Sequence, residues 1–248
     1  MHDFFTELNL AKIAAKKAGD ILQNNKIELS SIISTSNRDI KLKADKEAEE
    51  LIIDILQKES KLPILAEESG QSVNDLGSTF WVVDPLDGTA NYERNIPISC
   101  VSIALIKNLE PILGVVYDFN NDFLYEGSKY SVARMNEKII NTSNISKKNE
   151  GVLITGLPNN TDFSDQGLKR MIDDFQNWKK IRMIGSAAIA CVFVASGNAD
   201  LYKEKKTYLW DIAAGAAIVN AAGGKTKISK PNASFQVDAF ISNGTIND

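Results

Sequence analysis

An apolar run that meets a proline between two aspartates constrains this chain more than any other feature. Residues 80–83 (Phe-Trp-Val-Val) read as a buried strand, and Asp84-Pro85-Leu86-Asp87-Gly88-Thr89 follows at once. Proline fixes φ and lacks an N–H, so we expect the strand to end at Asp84 and Asp87 to return beside it. Carboxylates held this close repel each other unless a cation lies between them. The simpler alternative is an Asp-capped turn before a helix.

Acidic residues also lie at the end of a second apolar run and at the start of an apolar helix. Glu67-Glu68 follows the run from Leu62 to Leu65, and Asp211 follows Trp210 at the start of a predicted helix. Taken singly, the glutamates could be solvated loop acids, and the aspartate could complement the helix dipole. Taken together with residues 84–87, they favour oxygen-only ligation of a hard cation, Mg²⁺ or Mn²⁺ rather than zinc.

The composition removes several classes of function. The chain has 248 residues, of which 44% are hydrophobic, enough for one large core or two smaller ones that share an interface. A net charge of -4 argues against binding to a nucleic-acid polymer. The single histidine, His2, nearly excludes Ser-His-Asp and Cys-His catalysis. Any hydrolysis must therefore use carboxylates, hydroxyls and metal-bound water.

The same sequence predicts a cytoplasmic protein. Its first residues lack the basic start and long apolar core of a signal peptide, and no apolar stretch is long enough to span a membrane. Cys100 and Cys191 lie in apolar segments and are expected to be buried free thiols, with a disulfide as the less favoured alternative.

Hydrophobic periodicity predicts layered α+β or α/β packing. The sequence becomes polar near residues 140–150, at Asn141-Thr142-Ser143-Asn144. This suggests two subdomains in one compact unit, residues 1–145 and 146–248. A loop or irregular hairpin is expected over 30–38, and Gly223-Gly224 should end the last helix. The predicted helices span residues 4–24, 43–58, 165–178, 186–195 and 210–222. The predicted strands span residues 62–65, 80–83, 98–106, 112–119, 123–126, 132–135, 152–155, 199–202 and 238–242.

Three segments of the chain resemble the signatures of the inositol monophosphatase family. They are Glu67-Glu68-Ser69, the run from Trp81 to Tyr92 that contains Asp84-Pro85-Leu86-Asp87-Gly88-Thr89, and Trp210-Asp211-Ile212-Ala213-Ala214-Gly215. Residues 96–104, 114–117 and 185–188 also fall in the family's order, so the resemblance covers nearly the whole chain. It implies an αβαβα sandwich, often a homodimer, and Mg²⁺-dependent, often lithium-sensitive hydrolysis of a small phosphate monoester.

The resemblance also implies a role for each matching residue. Glu67, Asp84 and the Leu86 carbonyl would hold one metal ion; Asp84, Asp87 and Asp211 would hold a second. Glu67 would also orient the waters of a third, weakly bound ion. Thr89, paired with Asp45, would position the attacking water, while the amides of Gly88 and Thr89 bind the phosphate. Without the family pattern, Asp45 would be an ordinary N-cap.

The substrate's alcohol would contact Ser186, Ala187 and Glu204, although Lys203-Glu204-Lys205-Lys206 could equally be a solvated loop. The chain departs from the family in one place: members often carry a lysine in the loop before the Asp45 helix, but the matching stretch here, residues 34–38, has none. Arg38, Lys41 and Lys43 are the basic residues nearby.

Other activities stay open. Within the family, the alternatives are a 3'(2'),5'-bisphosphate nucleotidase and a fructose-1,6-bisphosphatase-like enzyme. A catalytically silent binding module on the same fold is a third. The haloacid-dehalogenase phosphatases fit less well, because their two aspartates are separated by one residue and lie near the N-terminus.

Overall fold

The computed structural model describes residues 4–29, 31–36, 39–157 and 161–246, and only the backbone of residues 27, 32–36 and 39–41. His2 and Arg38, and the side chain of Lys41, lie outside it. The helices are α1 Phe5–Asn24, α2 Lys26–Leu29, α3 Lys43–Glu59, α4 Thr89–Glu93, α5 Asp165–Phe175, α6 Ala187–Ala195 and α7 Leu209–Ala221. The strands are β1 Ile32–Ser36, β2 Asp39–Leu42, β3 Ile64–Ala66, β4 Gly70–Gln71, β5 Thr79–Asp87, β6 Cys100–Lys107, β7 Glu110–Asp118, β8 Phe123–Ser128, β9 Ser131–Met135, β10 Lys138–Ile139, β11 Val152–Thr155, β12 Lys180–Arg182, β13 Leu201–Tyr208, β14 Lys225–Ile228 and β15 Gln236–Ser242.

An eight-stranded sheet forms the centre of the first half, in the order β10-β9-β8-β7-β6-β5-β3-β4. Both of its faces are covered, because alternate residues of a strand point to opposite sides. Trp81 and Val83 pack against α1 and α3 on one face. Phe80 and Val82 belong to the core around α6 and α7 on the other.

The α6–α7 layer lies between this sheet and a second one. Both helices are buried over most of their surface, which matches their alanine-rich, apolar sequence. Close approach to the large sheet depends on Gly114 of β7, where a Cβ would overlap the backbone of Ala214. The helices can therefore pack directly against the strands that lead to the acidic residues.

The second sheet has five strands in the order β12-β11-β13-β15-β14. Its outer face packs Leu153 and Leu201 against Phe175 of α5 and the buried Trp178. The layers therefore follow the αβαβα order that the resemblance implies. The division into subdomains 1–145 and 146–248 stays a prediction.

Several predicted boundaries are wrong. The chain does not leave the sheet at Asp84: β5 continues through Pro85 to Asp87, because an irregularity in its pairing with β6 needs no N–H from proline. The strand predicted to end at Tyr202 extends to Tyr208, since β15 pairs with it along this length. The helix predicted to reach Trp178 ends at Phe175.

Other expectations are confirmed. Strands β1 and β2 pair antiparallel with an irregular register between Ile32 and Ser34, as expected for an irregular hairpin; residues 30, 37 and 38 of the predicted segment lie outside the described residues. The last helix ends just before Gly223, whose φ is 91°. Cys100 and Cys191 are buried and free. No helix in the described part of the chain is long and apolar enough to cross a membrane.

Candidate active site

Asp84 and Asp87 reach the same cavity because β5 carries a bulge between them. Asp84 pairs with Ser102 and Asp87 with Cys100, so two residues of β5 stand where β6 has one. Residues three apart in a regular strand would point to opposite faces. The extra residue brings both carboxylates, which are buried, to one cavity of about 280 Å³.

Most of the predicted site residues line this cavity. Those that do are Glu67, Asp84, Leu86, Asp87, Gly88, Thr89, Ser186, Ala187, Glu204 and Asp211. Asp45 is not among its lining residues, but it contacts Thr89. The structure thus gathers residues from both halves of the chain around one space.

Glu67 follows the end of β3, and its peptide N–H donates to the Val83 carbonyl over 3.1 Å. Its carboxyl lies beside that of Asp84 in the same cavity. Burial, then the negative charge of Asp211, raise the pKa of Glu67 well above its ordinary value. Burial, then the charge of Glu67, do the same to the pKa of Asp84. Ionising both carboxyls is therefore unfavourable unless a cation lies beside them.

Asp87 is held by the start of α6. Its Oδ2 accepts hydrogen bonds from Ser186 Oγ at 2.5 Å and from the Ala188 N–H at 2.7 Å. Its Oδ1 accepts from the Ala187 N–H at 3.3 Å. Burial raises the pKa of Asp87, and these bonds oppose the shift. Ser186 is buried, and its Oγ donates to Asp87 while accepting from the Ile189 N–H at 3.2 Å.

Asp211 lies one residue further into its helix than predicted. It is the third residue of α7, and its Oδ2 accepts from the Tyr208 N–H at 2.8 Å and from Thr207 Oγ1 at 2.6 Å. Burial, followed by the charge of Asp87, raises the pKa of Asp211 to about 7. Its carboxylate is thus oriented by the end of β13.

Asp45 is also the third residue of its helix rather than the N-cap. Its Oδ2 accepts from the Leu42 N–H at 2.7 Å, where β2 meets α3. Its Oδ1 faces Thr89 Oγ1 at 3.1 Å. Burial raises the pKa of Asp45 to about 7. A buried acid with this pKa, bonded to a hydroxyl that lines the cavity, is suited to accept a proton.

Glu204 lies in β13 and not in a solvated loop. Its Oε2 accepts from the Tyr202 hydroxyl at 3.0 Å. Burial raises the pKa of Glu204 to about 7. Its carboxylate lies so close to Gly156 that a Cβ there would overlap it. Glu204 thus forms part of the cavity wall contributed by the second half of the chain.

Three residues that the sequence analysis did not single out support the site. Glu49, one helical turn after Asp45, is buried and accepts from the N–H groups of Glu68 at 2.8 Å and Ser69 at 2.9 Å. The other two supporting residues are Thr207, which donates to Asp211, and Asn91, described below. The four-residue spacing of Asp45 and Glu49 on one helix was the available signal for Glu49.

Asn91 joins the two halves of the cavity. Its Nδ2 donates to the carbonyl oxygens of Ile98 and Ile184, each at 2.8 Å, and lies 3.3 Å from that of Gly185. Gly88 sits close by, and a Cβ on it would lie 2.7 Å from the Ile98 carbonyl oxygen. With its φ of 89°, that position requires glycine.

The donor set suits a hard cation. The acids and the Leu86 carbonyl offer oxygens only, the ligands that Mg²⁺ prefers. Burial and mutual repulsion, which raise the pKa values of Glu67 and Asp84, are the penalties that a cation would relieve. Among the described residues, however, no three Asp, Glu, His or Cys side chains converge closely enough to form a complete metal cluster. Within this described part of the chain, both oxygens of Asp87, but only Oδ2 of Asp211, accept hydrogen bonds from nearby protein donors.

Comparisons with known proteins agree with this geometry. The family model described as "Inositol monophosphatase family" matches residues 6–240. The "Nus factor SuhB" of Xylella fastidiosa is 37% identical over 221 residues, 88% of this chain and 80% of that protein. The "Fructose-1,6-bisphosphatase/inositol-1-monophosphatase" of Aquifex aeolicus is also 37% identical, over 88% of this chain and 83% of its own length.

A solved structure of inositol monophosphatase from Anabaena (Nostoc) sp. PCC 7120 superposes with a TM-score of 0.83 at 32% identity. The match covers 97% of this chain and 91% of that one. The αβαβα fold class is confirmed by this likeness. The chain belongs to the inositol monophosphatase family.

Proposed function

We propose that the protein is a Mg²⁺-dependent phosphomonoesterase that hydrolyses inositol 1-phosphate or a related sugar or polyol phosphate by direct attack of water. One observation carries the proposal: Glu67, Asp84, Asp87 and Asp211 line a single cavity. Thr89 lines it too and contacts a buried acid, Asp45. This combines an oxygen-rich cation site with a proton acceptor.

Glu67, Asp84 and the Leu86 carbonyl would hold one Mg²⁺, and Asp84, Asp87 and Asp211 a second. Glu67 would orient the waters of a possible third ion, and Mn²⁺ is a possible substitute. Bound Mg²⁺ supplies positive charge that stabilises the transition state and lowers the pKa of water. The Ser186 hydroxyl and the Thr207 hydroxyl would hold two of the carboxylates, Asp87 and Asp211, in place.

Thr89 and Asp45 would handle the proton of the attacking water. The Thr89 hydroxyl accepts that proton while its own passes to Asp45 Oδ1, which lies 3.1 Å away. The pKa of Asp45, raised to about 7, suits this task near neutral pH. The N–H groups of Gly88 and Thr89 would bind the phosphate.

The cavity wall favours a substrate with a single phosphate and an uncharged alcohol. Among the residues whose side chains the structure describes, which leave out Arg38 and Lys41, no lysine or arginine lines the cavity. A second phosphate placed beside Glu204 would face a carboxylate rather than a cation. Glu204, with Ala187 nearby, would instead bind hydroxyl groups. This favours a polyol phosphate over a nucleoside 3',5'-bisphosphate or fructose 1,6-bisphosphate.

A substrate panel tests the proposal. Phosphate release with Mg²⁺ would be measured for inositol 1-phosphate, adenosine 3',5'-bisphosphate and fructose 1,6-bisphosphate, and inositol 1-phosphate should give the highest kcat/KM. Preference for a bisphosphate would replace the proposed substrate. Release from none of them would favour the silent binding module.

Asp87→Asn tests the metal role, because it keeps the size of the side chain and removes a charged ligand. We expect kcat to fall by roughly 100-fold or more. The control is Asp173→Asn, an exposed position on α5. Near-normal turnover of Asp87→Asn would contradict the mechanism.

A homodimer and a cytoplasmic location complete the proposal. The two buried free thiols, Cys100 and Cys191, suit a reducing compartment. Light scattering on the purified protein would give a mass of twice 27.2 kDa for a dimer. Fractionation of cells would test the location.

A further inference from the structure

Strand β13 carries a bulge beside the cavity, between Glu204 and Thr207. Glu204 pairs with Ala239 of β15, and the next pair along the ladder is Thr207 with Val237. Lys205 and Lys206 therefore stand opposite a single residue, Asp238. The φ of Lys206 is 56°, a left-handed conformation that non-glycine residues seldom adopt.

The bulge decides which side chains reach the cavity. Glu204 and Thr207 are three residues apart and would point to opposite faces of a regular strand. Both line the cavity, because the extra residue reverses the alternation. Without it, Thr207 could not face the cavity together with Glu204, and its bond of 2.6 Å to Asp211 Oδ2 would be lost.

Asp238 holds the bulge from outside the cavity. Its Oδ1 accepts a hydrogen bond from the Lys206 N–H at 3.0 Å. Its own backbone is fixed by Ser229, whose Oγ accepts from the Asp238 N–H at 2.8 Å and whose N–H donates to the Asp238 carbonyl at 3.0 Å. The exposed carboxylate of Asp238 thus stabilises the N–H that the bulge leaves unpaired.

We propose that this bulge is a positioning device for the reaction, with Asp238 and Lys206 as positioning residues that act through Thr207 on Asp211 and through the strand on Glu204. The inference rests on the proposed function for its kinetic consequence. Its structural part, that Asp238 keeps Thr207 directed at Asp211, stands without it.

The test compares Asp238→Ala with Asp238→Asn, because asparagine keeps an oxygen that can accept the same bond. Asp173→Ala serves as the surface control. Asp238→Ala should lower kcat/KM by roughly tenfold or more, as expected for misplaced catalytic groups, and Asp238→Asn should restore it to within about twofold. Equal kinetics in all four proteins would overturn the proposal, as would Asp238→Asn being as impaired as Asp238→Ala.

Lys206 gives a second, independent pair of variants. Lys206→Gly keeps the N–H and favours a positive φ, so it should retain activity and raise the Tm. Lys206→Pro removes the N–H and enforces a negative φ, so it should impair the enzyme at least as much as Asp238→Ala. Unchanged kcat/KM in a folded Lys206→Pro variant would overturn the proposal.

Hydrogen–deuterium exchange over residues 203–211, measured without substrate, separates this inference from the proposed function. The Tyr208 N–H, next to Thr207, is protected by its hydrogen bond to Asp211. If the bulge loosens, this bond opens more often, so exchange should be faster in Asp238→Ala than in the parent protein or Asp238→Asn. If the parent protein releases no phosphate, the proposed function fails. The exchange comparison still decides whether Asp238 holds the bulge and keeps Thr207 directed at Asp211. Identical exchange in the three proteins would refute it.

Discussion

The hydroxyl of Thr89 lies 3.1 Å from Asp45 Oδ1 and 3.0 Å from the Leu86 carbonyl oxygen. Because a hydroxyl has a single proton, it donates to one of these acceptors at a time. The contact connects α3 to the start of α4, 44 positions later in the chain. It therefore places a buried acid behind a hydroxyl that faces the cavity.

Replacing Thr89 tests that relationship directly. Thr89→Ala removes the hydroxyl, and we expect kcat to fall by roughly 100-fold, within the range for loss of acid–base catalysis. Thr89→Ser keeps the hydroxyl and should retain most of the turnover. Steady-state phosphate release at saturating Mg²⁺ gives the comparison. Equal kcat for the alanine and serine variants would show that the hydroxyl takes no part.

Asp45→Asn should separate stability from activity. The folded-state pKa of Asp45 is raised from 3.8 to about 7, so its contribution to stability is lost as the pH rises from about 4 to 7. Asparagine has no such loss. The free energy of unfolding of Asp45→Asn, relative to that of the parent protein, should therefore increase between pH 5 and pH 8 by on the order of 2 kcal/mol.

Urea denaturation in EDTA at the two pH values measures this gain, and EDTA keeps metal binding out of the comparison. At both pH values, the turnover of Asp45→Asn with Mg²⁺ should be lower than that of the parent protein. Glu49→Gln is the companion variant, because Glu49 is buried on the same helix but contacts the 68–69 loop rather than Thr89. If the difference in free energy of unfolding between Asp45→Asn and the parent is the same at both pH values, the raised pKa of Asp45 is contradicted.

The sequence was sufficient to find the acids but not to orient them. Glu67 and Asp84 were predictable because each follows an apolar run, and the parallel pairing of β3 with β5 brings the ends of those runs together. The engagement of Asp87 by the start of α6 was not predictable, because Ser186 lies 99 residues away and no local pattern encodes the contact.

Two further differences from the predicted strands, in β5 and β13, lie at bulges. Asp84 and Asp87, like Glu204 and Thr207, have an odd spacing that a regular strand would place on opposite faces. In each case an extra residue brings both into the cavity. The charged run from Lys203 to Lys206 shows no alternation, so its inclusion in β13 depends on pairing with β15, a long-range interaction absent from local sequence.

Asn91 provides a test of how the two halves of the cavity are held together. Its amide donates to the Ile98 and Ile184 carbonyls, so Asn91→Asp would direct a carboxylate at two acceptors. Asn91→Ala leaves the same carbonyls unpaired but lets water approach. We expect Asp to be the more destabilising change, by about 1–3 kcal/mol relative to the parent protein. Thermal unfolding gives the order of the three proteins. An aspartate variant as stable as the parent would show that the Asn91 hydrogen bonds do not hold the two halves of the cavity together.

Gly156→Ala tests whether the position of Glu204 sets substrate affinity. The new Cβ would overlap the Glu204 carboxylate, which is the end of a flexible side chain and can move. The fold should therefore persist with little change in Tm, while Glu204 leaves its place in the cavity wall. If Glu204 binds a substrate hydroxyl, KM for inositol 1-phosphate should rise roughly tenfold with kcat nearly unchanged.

The double variant Gly156→Ala/Glu204→Ala decides whether the effect passes through Glu204. Once the carboxylate is absent, the methyl group of alanine has nothing to displace, so the double variant should match Glu204→Ala alone. Additive increases in KM would mean that Gly156 contacts the substrate itself. Such a result would place the binding of the alcohol on the 155–157 segment rather than on β13.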